Sequence, residues 1–181
     1  MTTASVNQTF DTYRVRFPDR EPNLSNVEDR ADESDVVPED ERHHFGQKPV
    51  LVTMEPPDWN APSLTSRKKY LWVIEKTEVV FAQEHGIFGK TRKRKGGLGG
   101  LAHTNLTASR PAHSAGEAWF ADHLRVVING GSSRYRPRSK QELEAIKVAF
   151  REAGLDCISM GWDDESNRES RIMRELPQWT S

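Results

Sequence analysis

The sequence predicts an α+β domain, a bent and mainly antiparallel sheet with one packed helix, entered through a largely disordered acidic N-terminal arm. Three observations predict it. Paired β-rich runs recur at hairpin spacing between Tyr70 and Ile128, and one strongly helical stretch follows Pro137. The charge is also split: Met1 to Pro62 carries 13 Asp or Glu against 6 Lys or Arg, whereas Ser63 to Arg110 carries 10 Lys or Arg against 3 Glu.

Residues 1–66 read as the arm. Seven prolines fall between Arg16 and Ser66, and the stretch has too little apolar surface to offset the entropy of ordering, about 1–2 kcal/mol per residue. Residues 49–54, Pro-Val-Leu-Val-Thr-Met, form an exception that suits an edge strand. The domain proper then spans residues 67–165. Tyr70-Leu71-Trp72-Val73-Ile74 and Glu78-Val79-Val80-Phe81-Ala82 are separated by Glu75-Lys76-Thr77 and predict a hairpin. Four glycines between Gly96 and Gly100 exclude helix there and predict a mobile loop. Leu101 to Thr107 alternates like a strand. A second hairpin pairs Glu117-Ala118-Trp119-Phe120 with Leu124-Arg125-Val126-Val127-Ile128 through a turn at Ala121-Asp122-His123. Ser139 then caps a helix, with Glu142 three residues on, apolar Leu143, Ile146, Ala149, Phe150 and Ala153 on one face, and Gly154 at its end. Leu155 to Met160 gives a last strand, and residues 166–181 read as a tail.

A chain of 181 residues with 35% hydrophobic content supports one core. Its single cysteine, Cys157, excludes an internal disulfide and any Cys-based zinc site, and reads as buried filling. No apolar segment follows a basic start, and no run of about 18 apolar residues occurs, so a cytoplasmic protein without a membrane span is expected.

The candidate chemistry lies between His85 and Tyr135. Lys90, Arg92, Lys93, Arg94 and Lys95 beside the glycine run combine point charges, guanidinium forks and open backbone donors, which suits phosphates of a nucleotide or nucleic acid. Gly89-Lys90-Thr91 is no P-loop, because Gly86 precedes Gly89 by three residues instead of five. His103 and Glu117 supply an imidazole and a carboxylate for acid–base work, with His113 as a further candidate. Ser132-Ser133-Arg134-Tyr135-Arg136-Pro137 puts hydroxyls, a phenol and two guanidiniums at a strand-to-helix junction, where an anion can be held. His43-His44 beside Asp40 and Glu41 lies on the arm, where no fixed metal shell is expected, so no metal site is assigned.

The order of pieces resembles a known family. Leu71-Trp72-Val73-Ile74, Leu101-Ala102-His103-Thr104-Asn105-Leu106, Ala115-Gly116-Glu117 and Ser132-Ser133-Arg134-Tyr135-Arg136-Pro137, followed by a helix, are similar to the conserved core of plant IQ-motif calmodulin-binding proteins and related bacterial polymorphic toxin and effector domains. The likeness covers Tyr70 to Asp156. It departs where the family's Ser-Gly-His-Tyr has Ser133 for the glycine and Arg134 for the histidine, and no IQ motif is present. The resemblance implies His103, Glu117, Ser132 and Tyr135 as catalytic residues and a toxin- or effector-like domain acting on a nucleotide. ADP-ribosyl or nucleotidyl transfer to a protein target, with NAD or ATP as substrate, is the activity it points to. The residues themselves leave open a nucleic-acid- or protein-binding module without turnover, and an RNase.

Overall fold

The computed structural model describes residues 6–24, 34–45, 58–59, 69–91 and 99–179. The expected edge strand at 49–54 and Arg92, Lys93, Arg94 and Lys95 lie outside them. Among the described residues thirteen elements follow in order. These are α1 (Val6–Arg16), a 3-10 turn (Glu39–Glu41), β1 (His43–His44), β2 (Tyr70–Ile74), β3 (Val79–Gln83), α2 (Ile87–Thr91), α3 (His103–Thr107), β4 (Ser114–Phe120), β5 (Arg125–Asn129), α4 (Lys140–Glu152), β6 (Asp156–Ser159), β7 (Trp162–Asp163) and β8 (Arg168–Glu169). Six strands form one sheet in the order β1-β3-β2-β4-β5-β6, antiparallel throughout except for β5 and β6. The α+β class is therefore as the sequence predicts. Among the described residues no helix is long and apolar enough to cross a membrane.

β2 is buried at all five positions, because both faces of the sheet are covered. Strand alternation sends Trp72, Ile74, Phe81, Phe120 and Ile128 to one face, where Phe10 and Tyr13 of α1 and Ile146 and Phe150 of α4 pack on them. Trp72 lies opposite Gly116 and needs that glycine, since a Cβ there would come within 2.5 Å of the indole. Leu71, Val73, Val80, Ala82 and Ala115 point to the other face, under Leu106 of α3, Val37 and Tyr135. Cys157 is 1% exposed within the first cluster, and burial pushes its thiol up, as expected of inert filling.

α4 begins as predicted, with Ser139 Oγ accepting from the Glu142 backbone N–H at 3.1 Å, and ends beside Gly154 at φ +99°. The Glu142 carboxylate is fully buried. It accepts from Tyr13 Oη at 3.0 Å, Arg20 Nη2 at 3.0 Å and the Arg138 N–H at 2.7 Å. It therefore closes the helix N-terminus and ties the chain's first helix to its last.

Two segments depart from expectation. Leu101 to Thr107 does not form a strand: residues 103–107 are helix α3, closed by left-handed Ala108 and Ser109. All five helical residues are buried, so alternation marked no exposed face. The turn is instead set by Asn105, whose Oδ1 accepts from the Ala102 N–H at 2.8 Å while its amide donates to Asp35 O. The stretch read as an arm contributes α1, whose Phe10 is wholly buried, and Val37 at 2% exposure. At the other end Arg168–Glu169 pairs with Trp162–Asp163, so the body extends past residue 165.

The segment around β1 is pinned by charge. His44 sits between Glu39 and Glu78, and Arg42 lies 3.7 Å from both Glu75 and Glu78. Burial pushes the Glu75 carboxyl up to about 7, with Glu78 adding to the rise and Arg42 and Arg110 opposing it. A raised folded-state value means that the native protein holds this proton where the unfolded chain has released it. Stability therefore falls as pH rises from about 4.5 towards 7. E75Q is expected to flatten that fall, checked by thermal denaturation of both proteins between about pH 5 and pH 8.

Candidate functional site: an arginine cleft beside a recessed carboxylate

β5, α4 and β6 form a parallel crossover, and ligand sites in such units lie beyond the carboxyl ends of the strands. That place is occupied here by a cleft of about 650 Å³. Ser133, Arg134, Arg136 and Arg138 from the β5–α4 connection form one wall, and Trp162 and Arg168 of the β7–β8 hairpin form the other. Among the described residues five arginines line the cleft against one acidic residue, Glu21.

The five arginines do different work. Arg20 is committed to the fold: its Nη2 reaches Glu142, Ser114 Oγ, Tyr135 O and Arg136 O at 2.9–3.2 Å. Arg134 is half-buried and donates to Asn23 O at 2.9 Å. Arg136, Arg138 and Arg168 are exposed and can turn to a ligand. Glu169, whose side chain is 0% exposed, stands 3.9 Å from Arg136 and 3.6 Å from Arg171, and its oxygens accept no hydrogen bond. Since Glu142 already fills the start of α4, an anion here would be gripped by guanidiniums and not by the helix end.

Across the Gly130–Gly131 turn lies a second polar group, on the sheet face away from α4. Glu117 Oε1 accepts from Lys69 Nζ at 2.6 Å and its Oε2 from Asn129 Nδ2 at 2.9 Å. Lys69 also lies 3.0 Å from Glu84, which is 3.4 Å from His85 Nε2. Burial pushes the Glu117 carboxyl up, but the charge and hydrogen bond of Lys69, the Asn129 amide and the charge of His103 outweigh it and hold the group below its ordinary range. For Lys69, burial works downward and is outweighed by Glu117 and Glu84, which raise it. The carboxylate is thus a fixed anion and acceptor more than a base tuned to neutral pH. The Gly131 position belongs to this site: a Cβ there would come within 2.9 Å of Glu117 Oε2 and 2.8 Å of Asn129 Oδ1.

The residues singled out in the sequence separate accordingly. Glu117 and His103 fall near each other, with His103 buried and its Nε2 donating to Gly116 O at 2.9 Å. Ser132 and Tyr135 face inward. Ser132 Oγ accepts from the Arg134 and Tyr135 N–H groups at 3.2 and 3.0 Å and shapes the turn. Tyr135 is 0% exposed, and its hydroxyl is shared with Thr107 Oγ1 and Arg110 O, both at 2.8 Å. Neither can touch a ligand in this conformation, which corrects the catalytic role expected of them. Y135F is expected to cost about 1–2 kcal/mol in a chemical denaturation, through the unsatisfied Arg110 carbonyl, while leaving ligand affinity within about twofold. His113 is likewise structural, with Nδ1 2.7 Å from Phe17 O. Lys90 is exposed on α2, apart from the cleft lining.

Sequence reasoning missed Arg138, Arg168, Lys69 and Asn129. Arg138 merely extends the Ser132–Pro137 run and was within reach. Arg168 and Lys69 reach their sites only through tertiary folding. Comparison with protein-family models, curated proteins and solved structures finds no match to this chain.

Proposed function

We propose that this domain recognises a phosphate-bearing ligand, a nucleotide or a nucleic-acid strand, in the arginine cleft. The observation that carries this reading is the cleft itself: three exposed arginines beyond the carboxyl ends of two parallel strands, in a volume of about 650 Å³ that matches a nucleotide-sized ligand. Guanidiniums supply bidentate donors for phosphate oxygens. Binding is the better supported part of the reading, because guanidiniums predominate among the charged groups that line the cleft.

Turnover is the second reading, favoured by the recessed Lys69–Glu117–Asn129 group beside the cleft. A toxin- or effector-like transfer of an ADP-ribosyl or nucleotidyl group from NAD or ATP to a protein target, or cleavage of RNA, would then rest on Glu117 and His103, without Ser132 or Tyr135. The experiment is a thermal-stability series with NAD, ATP and short RNA and DNA oligomers at low and moderate salt. A ligand at a hundredfold its Kd adds about 2.7 kcal/mol. A shift with NAD or ATP that survives moderate salt supports the nucleotide-transfer reading. A shift confined to oligomers and lost with salt supports a nucleic-acid-binding module. Absence of any shift contradicts both.

A further inference from the structure

The recessed group around Glu117 presents a fixed hydrogen-bond acceptor. Among the described residues two carboxylates, Glu84 and Glu117, flank the ammonium of Lys69. The side chains of Glu117 and Lys69 are 17% and 21% exposed, which leaves them recessed but reachable. Each Glu117 oxygen uses one lone pair, on Lys69 or Asn129, and keeps another for a donor from outside. Asn129 is 1% exposed and held on both sides: its amide donates to Glu117 Oε2, while its Oδ1 accepts from the N–H groups of Glu117 at 3.2 Å and Gly131 at 2.8 Å. The acceptor is therefore fixed in direction before any ligand arrives.

Its distance from the arginine cleft is short. Gly131 abuts Glu117 Oε2, and Ser133 lines the cleft two residues later, a separation of at most about 7 Å of extended chain. The Glu117 carboxylate thus stands across the Gly130–Gly131 turn from the wall of the cleft that carries Ser133 and Arg134.

We propose that Glu117, oriented by Asn129, accepts the sugar hydroxyls of the ligand whose phosphates occupy the arginine cleft, so that the ligand class is a ribonucleotide, free or within an RNA strand. This inference rests on the cleft reading. A carboxylate facing a sugar diol discriminates, because a ligand without the hydroxyls covers the remaining lone pairs of Glu117 without supplying donors to them.

The full chain is titrated calorimetrically with inorganic tripolyphosphate, with each of the four ribonucleoside triphosphates, and with their 2′,3′-dideoxy counterparts. Random-sequence RNA and DNA hexamers form a second arm. At least one ribonucleoside triphosphate is expected to bind about tenfold or more tightly than its dideoxy partner if the ligand is free. RNA is expected to exceed DNA by a similar factor if the ligand is a strand. E117Q is expected to erase whichever preference is seen while tripolyphosphate still binds, which also shows that the variant is folded. Equal binding within every pair, or a preference that survives in E117Q, overturns the inference and leaves the cleft reading intact. Failure of tripolyphosphate, all triphosphates and both hexamers to bind overturns the cleft reading, and this inference with it.

Discussion

Replacing Phe10 with alanine is expected to destabilise the protein by about 3–5 kcal/mol, measured by chemical denaturation. Its ring is wholly buried and packs edge-on against Phe150 at 5.3 Å and Phe45 at 6.1 Å, so it joins α1 to α4 and to the turn after β1. The cost combines the lost transfer of an aromatic ring with a cavity that two aromatic neighbours cannot readily close. A loss below about 1 kcal/mol would mean that α1 does not dock as described. The result also bears on the cleft, because the chain leaving α1 carries Arg20 and Asn23 to its rim, where the Asn23 N–H donates to Arg134 O at 2.9 Å.

This prediction concerns a segment that composition misrepresented. Between Val6 and Phe17 the residues Phe10, Tyr13 and Phe17 keep helical spacing, but they are set among polar neighbours and followed by a proline-rich acidic stretch. Their signal was drowned by the average of the surrounding 66 residues. The elements that were legible are those closed by local chemistry. The β4–β5 turn is one, where Asp122 Oδ1 accepts from the Leu124 and Arg125 N–H groups, both at 2.9 Å; the Ser139 cap of α4 is another. α3 was illegible for the opposite reason. Its residues are buried on all sides, so polar and apolar positions no longer report a face.

The site divides in the same way. Arg134 and Arg136 were readable because a dense cationic and hydroxylic run stands between a Gly-Gly turn and a helix cap. The same run misled for Ser132 and Tyr135, which the turn sends inward. Arg168 arrives from 32 residues beyond Arg136, on a two-residue strand that periodicity cannot detect. Lys69 comes from the other side, at the entrance to β2, and meets Glu117 only because β2 and β4 are neighbours. A sequence can propose one wall of such a cleft; the second wall is a property of the topology.

Reversing charge on both walls should then have the largest functional effect. In R136E/R168E each substitution removes a charge-assisted contact, worth about 1.5–3 kcal/mol, and adds repulsion. Affinity for a phosphate-bearing ligand is expected to fall at least about a hundredfold in a binding titration, with a shallower dependence on salt because fewer counter-ions are exchanged. R168E alone, at an exposed side chain, should leave the melting temperature close to that of the unaltered protein, whereas R136E places a carboxylate beside buried Glu169 and should lower it. Binding that persists within a few-fold would place the ligand elsewhere on the molecule.

The most direct test of the cleft is a tripolyphosphate titration followed through backbone and indole N–H resonances. The account predicts progressive shifts confined to residues 133–140 and 162–168, including the Trp162 indole, with smaller changes at Asn23. Shifts absent from both stretches, or concentrated in the groove between α1 and α4, would contradict it.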